Sequence, residues 1–317
     1  MYSSISYVIP IFNEELNISN TVKRIKSTFE ENNLEKYEII FIDDGSVDKS
    51  VEIIKKFISN DYPIKCISLT RNFGHQEALT AGLKYANNDL IAVLDGDLQD
   101  PPEVINKFIK FAEKGYQVVY GVRRKRKEIF YKRICYAIFY RILSKLSNLD
   151  IPLDSGDFCL MSKNALDKLN QLPEQNRFIR GLRSYIGLQQ IGVQYERDAR
   201  SAGEPKYNFR KLLKLASDGI FNFSDRPLKI TSAFGLCVSF ISVLLIILLI
   251  AQRVFSINIF GYSPDDVPGY TSIIASIFFV SGVQLFAIGI IGEYISRIFL
   301  ESKKRPSYLI REIIGSK

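Results

Sequence analysis

Residues 230–252 and 267–292 form two runs near the C-terminus that contain no charged side chain. At about 1.5 Å of helix per residue, either run is long enough to cross the roughly 30 Å hydrocarbon core of a bilayer. Membrane spans are therefore expected over about 230–252 and 271–292. Arg226 and Lys229 precede the first, and Arg297, Lys303, Lys304 and Arg305 follow the second, whereas the connecting loop carries only Arg253. The positive-inside rule then places both termini on the cytoplasmic side of a cell membrane, in a multi-pass arrangement. Two helices alone enclose no transport pathway, so the chemistry is expected in the first 228 residues.

That N-terminal part opens on MYSSISYVIPIFNEE, which has no basic n-region and no apolar stretch of signal-peptide length, and reads as a first strand. The net charge of +8 suits nucleic acid, an anionic membrane or a phosphorylated substrate equally. Cys66, Cys135, Cys159 and Cys237 stand far apart with no C-x-x-C, and His75 is the sole histidine. This argues against a zinc site and against a disulfide framework. His75, on a loop after the third strand, reads as a loop histidine outside the site.

Short apolar runs alternate with helical patterns from the start. Strands are expected at Ser6–Phe12, Glu38–Ile42, Ile64–Leu69, Asp89–Leu94 and Gln117–Tyr120, with sets such as Ile18, Val22, Ile25 and Phe29 at helical spacing between them. The alternation predicts an α/β fold, a Rossmann-like, mostly parallel sheet with helices on both faces. Ligands of such sheets bind beyond the carboxyl ends of the strands. Two acidic clusters fall there: IDDGS after the second strand and LDGDLQD after the fourth. No G-x-G-x-x-G follows the first strand and no G-x-x-x-x-G-K-[ST] occurs, which disfavours dinucleotide and P-loop chemistry.

Some of this acid has a structural use. Asp100 before Pro101–Pro102 suits a helix N-cap, as does Asp48 before the second helix, and Asp44–Gly45 is turn chemistry. Asp95 and Asp97 are different, because glycine between them lets both carboxylates converge. Two carboxylates about 4 Å apart repel by roughly 4 kcal/mol at an effective dielectric of about 20. A divalent cation reverses that sign, and oxygen ligands suit Mg²⁺ or Mn²⁺, which a diphosphate would share.

VIPIFNEE, FIDDGSVDKS, RNFGHQEALTAGL, LDGDLQDPPE, SGDFCLMS and RSAGEPKYNFRKL follow one another in the order seen in family 2 glycosyltransferases. The chain resembles in particular the membrane-bound branch that acts on polyprenyl phosphates. The resemblance implies a GT-A-type fold and an inverting transfer of sugar from a nucleotide-sugar donor, UDP in the first instance, to a polyprenyl phosphate. It also implies that Pro10, Phe12 and Glu14 border the nucleotide with Asp43 or Asp44. Asp95 would face ribose and metal, and Asp97 with Gln99 would complete the metal site. Asp157 stands where the family places its candidate base. A phosphate monoester, with its second pKa at about 6, is already anionic at neutral pH, so Asp157 has little proton to remove.

The basic run Arg123–Arg133 leads into Ile129–Ser147, where Tyr131, Cys135, Phe139 and Leu143 adjoin Ile134, Ile138, Ile142 and Leu146 on one apolar face. That is the profile of an interfacial helix, and a second such segment spans 206–228. A homo-oligomer contact has the same profile, and both are expected. No nucleic acid partner is expected. Arg123 and Arg133 are candidates to hold the lipid phosphate. Arg200 and Lys206 match the family's basic pair. The expected division is a cytoplasmic catalytic domain over 1–205, a juxtamembrane segment over 206–228 and a membrane region over 229–317.

Two other readings stand beside this one. A D-x-D phosphatase of the haloacid-dehalogenase type would carry the motif after its first strand, not its fourth. A membrane-anchored nucleotide-binding partner without activity would not need Asp95, Asp97, Gln99 and Asp157 together. A processive synthase would need Q-x-x-R-W, and the chain has no tryptophan.

Overall fold

The computed structural model describes residues 2–32, 34–123, 155–175, 177–196, 228–235, 237–238, 240–241, 244, 247 and 269–315. Contacts divide the chain into two units, Met1–Gly219 with Lys304–Lys317, and Ile220–Lys303.

In the first unit β1 (Ser4–Ile11), β2 (Lys36–Asp43), β3 (Ile64–Leu69) and β4 (Leu90–Val93) alternate with α1 (Ile18–Glu30), α2 (Ser50–Ser59) and α3 (His75–Tyr85). A 3₁₀ turn at Pro102–Val104 leads into α4 (Ile105–Ala112), followed by β5 (Val118–Arg123), β6 (Ser155–Ser162), α5 (Lys163–Gln171), α6 (Ile179–Tyr185) and β7 (Gln190–Tyr195). The last strand, β8 (Ile310–Ile314), comes after the second unit. The sheet order is β7-β5-β6-β4-β1-β2-β3-β8.

β1 is buried along its whole length, as a central parallel strand covered on both faces must be. Ile5, Tyr7, Ile9 and Ile11 alternate onto the face that packs against α1 and α4, through Ile18, Val22, Ile25 and Phe108. The opposite face receives α3. A Cβ at Gly82 of that helix would lie 2.4 Å from Ile42 Cδ1 and 2.5 Å from Val8 Cγ1, so the bare glycine is what lets α3 settle onto the strands.

The expected parallel sheet is present as the block β4-β1-β2-β3, but it is extended by antiparallel neighbours. β6 runs antiparallel between β4 and β5, and β8 runs antiparallel along β3. Three strands, β6, β7 and β8, were not among those predicted from periodicity. Asp100 also departs from expectation: the 3₁₀ turn is capped by Pro101 with no side-chain bond, and Asp100 is buried instead. Asp48 is not the N-cap of α2 either, which is Lys49, but from the position before it Asp48 Oδ1 accepts the amide of Ser50 at 3.0 Å.

In the second unit, among the described residues, one helix is long and apolar enough to cross a membrane. It is α7 (Gly269–Ser302), whose apolar stretch Phe279–Ser302 presents exposed Leu285, Phe286 and Ile288. Only part of the first uncharged run is described, helical at 228–235. The amphipathic segments 129–147 and 206–227, with Arg133, Arg200 and Lys206, lie outside the described residues.

Candidate active site

Pro10 lies in buried β1, and Phe12 and Glu14 in the loop that follows it. The DDGS loop after β2 is laced to that first loop. Asn13 N–H donates to Ser46 Oγ at 2.9 Å, and Val47 N–H donates back to Asn13 Oδ1 at 2.9 Å. Glu14 N–H donates to Ser50 Oγ at 3.0 Å, and Glu15 N–H to Asp48 Oδ2 at 3.1 Å. Asn13 adopts a φ of 54°, a left-handed conformation that asparagine tolerates. Glu14 accepts from Asn17 Nδ2 at 2.7 Å, which turns its carboxylate toward the start of α1.

Asp43 and Asp44 are both buried but are held differently. Asp43 Oδ1 accepts from Ser46 N–H at 2.8 Å, closing its own turn. Asp44 reaches out to the loop after β3, accepting Phe73 N–H at 2.7 Å and Gly74 N–H at 3.0 Å. Burial raises the Asp44 carboxyl above its usual range against the pull of those two amides. Gly45, at φ 78°, lies against that same loop: a Cβ there would be 2.8 Å from Arg71 C and Asn72 N.

Asp95 and Asp97 follow β4 in a tight turn. Gly96 sits where a Cβ would be 3.0 Å from Ile11 Cγ2 and 3.1 Å from Pro10 O, which brings the acidic turn against the end of β1. Asp97 Oδ1 accepts Gln99 N–H at 3.1 Å. Between them Leu98 is buried at φ 58°, a conformation costing an apolar residue about 1–3 kcal/mol that its burial must offset.

The Asp95 side chain is 29% exposed, yet the protein packed behind it dominates its titration. Burial raises it, His75 opposes, and Asp100, Asp157 and Asp97 add like charge, so the carboxyl is pushed up to about 6. Among the described residues no three histidine, cysteine, aspartate or glutamate side chains gather as a metal cage. Crowded carboxylates with an amide neighbour fit a hard divalent ion that takes one or two protein carboxylates and completes its shell with phosphate and water. Asp95, Asp97 and Gln99 are the residues that would hold it.

Asp157 is on β6 and only 4% of its side chain is exposed. It is not a loop carboxylate. Four donors converge on it: Arg180 Nε to Oδ1 at 2.9 Å, Arg180 Nη2 to Oδ2 at 3.1 Å, Gln76 Nε2 to Oδ2 at 3.1 Å, and His75 Nε2, 3.3 Å from Oδ2. Burial alone would raise its pKa; Arg180 and His75 outweigh it and hold the carboxyl well below its usual range. His75 Nε2 is also 3.8 Å from Asp95 Oδ1. Burial opposes its protonation, but the bond to Asp157 and the charge of Asp95 raise its pKa to about 9. The Gln76 amide in turn accepts Ile179 N–H at 3.0 Å, fastening α6 to α3.

His75 is thus central, contrary to the expectation of a loop histidine outside the site. It, Gln76 and Arg180 were missed because their roles depend on β6 standing next to β4. The available signal was the pair His75–Gln76 at the mouth of α3, directly after a glycine at φ 119°.

Arg123 closes β5. Its Nε donates to Tyr195 Oη at 3.4 Å and its Nη2 lies 3.8 Å from Asp100 Oδ2, while Tyr195 Oη donates to Asp100 Oδ1. Burial disfavours the charged guanidinium, but Asp100 and Tyr195 hold its pKa above the usual value. Arg123 is therefore ordered by a buried partner.

Two family profiles match the chain: glycosyl transferase family 2 over residues 6–169 and the GtrB C-terminal hairpin over residues 226–298. The "Uncharacterized glycosyltransferase YkcC" of Bacillus subtilis (strain 168) is 43% identical over 311 residues, covering 98% of this chain and 94% of its own. The "Bactoprenol glucosyl transferase" of Shigella phage SfX is 41% identical over 308 residues, covering 97% and 98%. The "Prophage bactoprenol glucosyl transferase homolog" of Escherichia coli (strain K12) is 39% identical over 310 residues, covering 98% and 99%. With acidic residues from three strands gathered at the carboxyl end of a mixed α/β sheet and relatives matched along nearly their whole length, the chain belongs to glycosyl transferase family 2, carries its GtrB-type C-terminal hairpin, and is a glycosyltransferase.

Proposed function

We propose that the chain transfers a glucosyl residue from a UDP-linked donor to a polyprenyl phosphate at the cytoplasmic face of a membrane, with inversion at the anomeric carbon. The observation that carries this reading is His75, whose Nε2 stands 3.8 Å from Asp95 and 3.3 Å from Asp157. It joins the acidic turn after β4 to the carboxylate of β6. The names of the relatives supply the sugar and the lipid; the residues here supply the chemistry.

In the transfer, a phosphate oxygen of the lipid forms a bond to the anomeric carbon as the bond from that carbon to the donor's diphosphate breaks. The nucleoside diphosphate leaves with the electron pair, and no proton must be removed from an acceptor already anionic at neutral pH. Pro10, Phe12, Glu14, Asp43 and Asp44 border the nucleotide, and Asp95, Asp97 and Gln99 would hold Mg²⁺ or Mn²⁺, whose positive charge would offset that of the departing diphosphate. Arg123, Arg133, Arg200 and Lys206 receive the lipid phosphate. Alignment and fixed charge account for the rate.

Membrane topology has its own support. Lys304–Lys317 belong to the same unit as Met1–Gly219, so the chain between leaves and regains one side of any membrane. This supports an even number of crossings, with α7 and residues 230–252 proposed as the two. The catalytic domain over 1–205, the juxtamembrane segment 206–228 and both termini are then cytoplasmic, and copies of the chain associate through the amphipathic segments.

The test is transfer of labelled glucose from UDP-glucose, with GDP-glucose in parallel, to a C55 polyprenyl phosphate in membranes. Mg²⁺ or Mn²⁺ is present in one arm and a chelator in the other. Label in the lipid extract, lost with chelator, is expected. Absence of chelator-sensitive label from either donor would overturn the reading.

A further inference from the structure

The sheet's outermost strand on the β3 side is contributed by the tail that emerges from the membrane unit. β8 pairs antiparallel with β3, Ile313 opposite Ile67 and Ile314 opposite Cys66. At its end Gly315, at φ 83°, approaches so closely that a Cβ would lie 2.4 Å from Ile64 O.

At its other end β8 grips the residue where β3 stops. Thr70 N–H donates to Leu309 O at 2.9 Å, and Thr70 O accepts from Arg311 Nη2 at 2.9 Å. Both backbone groups of Thr70 are therefore held by the tail. Beyond Thr70 the chain passes directly into the site: Arg71 and Asn72 lie against Gly45, and the Phe73 and Gly74 amides bind Asp44. His75 and Gln76 then reach Asp157. Arg71 stacks on Phe73, its guanidinium carbon 4.0 Å from the ring centroid, which gives the loop internal order.

We infer that β8 is a working part of the donor site: the strand following the membrane hairpin positions residues 70–76, and Arg311 is a positioning residue for nucleotide-sugar binding. The inference rests on the proposed reading of Asp44 as a donor-site residue. A strand laid along a free sheet edge binds through main-chain hydrogen bonds and is separable in principle from the sheet it completes. Glu312, on the same strand, provides an internal control. Its side chain meets Lys55 at 3.6 Å on the surface.

The point variants are compared in the full chain, in membranes. Arg311→Ala is expected to raise the KM for UDP-glucose by about fivefold, the equivalent of one hydrogen bond, with the thermal midpoint little changed. Glu312→Gln leaves KM at the wild-type value. A chain ending at residue 303 is expected to lose transfer, and a peptide of residues 304–317 added in trans to restore it. The same peptide with Ile313→Pro is expected to fail, because proline removes a ladder donor and resists a strand interior.

Hydrogen exchange at residues 70–76 gives a readout that needs no substrate, and it is expected to quicken in the shortened chain and in Arg311→Ala. Unchanged exchange in both would overturn the inference whether or not UDP-glucose is the donor. Identical KM values for Arg311→Ala and wild type would also overturn it.

Discussion

Arg180 grips Asp157 through two parallel hydrogen bonds, Nε to Oδ1 at 2.9 Å and Nη2 to Oδ2 at 3.1 Å. The arrangement makes the carboxylate an anchor. Its lone pairs are occupied by Arg180, Gln76 and His75, and a carboxyl held below its usual range is a poor proton acceptor at neutral pH.

Removing the fork leaves a buried charge without its principal partner. Arg180→Met is expected to destabilise the catalytic unit by about 3 kcal/mol. By displacing His75 and Gln76 it should also slow transfer on the order of a hundredfold. Arg180→Lys keeps the charge and loses the planar geometry, so thermal denaturation should recover more than activity does. Equal recovery of both would show that the geometry is irrelevant.

Asp97→Asn removes one negative charge from the acidic turn while leaving an oxygen to accept Gln99 N–H. Transfer is expected to fall at least about a hundredfold. UDP binding measured by calorimetry should lose its dependence on Mn²⁺, with the thermal midpoint unchanged. A scaffold without catalysis would show the first loss in no assay.

Asp89 latches the N-terminus. Its Oδ2 accepts Ser3 N–H at 2.8 Å, Ser3 Oγ–H at 2.9 Å and Ser4 N–H at 3.1 Å. The Ser3 amide, first among these, lowers the carboxyl pKa below its ordinary value. The folded chain therefore binds this proton less tightly than the unfolded one. The latch contributes fully above the unfolded pKa of about 4 and is lost as pH falls through the folded value. Thermal midpoints measured from neutral to acid pH should fall less steeply in Asp89→Ala than in wild type.

Gly45→Ala forces a side chain into the left-handed region and into contact with the backbone of Arg71 and Asn72. The two effects together are expected to cost about 2–4 kcal/mol. Because the displaced loop carries the amides that bind Asp44, the KM for UDP-glucose should rise as well. A lower thermal midpoint with an unaltered KM would separate Gly45 from the donor site.

Local pattern was enough to determine much of this protein. β1 to β4 and the helices between them follow from apolar periodicity, and the acidic turns after β2 and β4 from residues adjacent in the chain. The apolar helix α7 could be read in the same way, because it is a property of one continuous stretch. Tertiary structure decided the rest, since pairing between distant strands leaves no periodic trace. β6 enters antiparallel beside β4 and carries Asp157 to His75, 82 positions earlier in the chain. Asp100 looked like a helix cap from its neighbours, yet Tyr195 and Arg123, brought in by β7 and β5, claim it instead. β8 is the strongest case: five residues that follow the second unit, unremarkable in composition, become a strand only because β3 offers an unpaired edge to receive them.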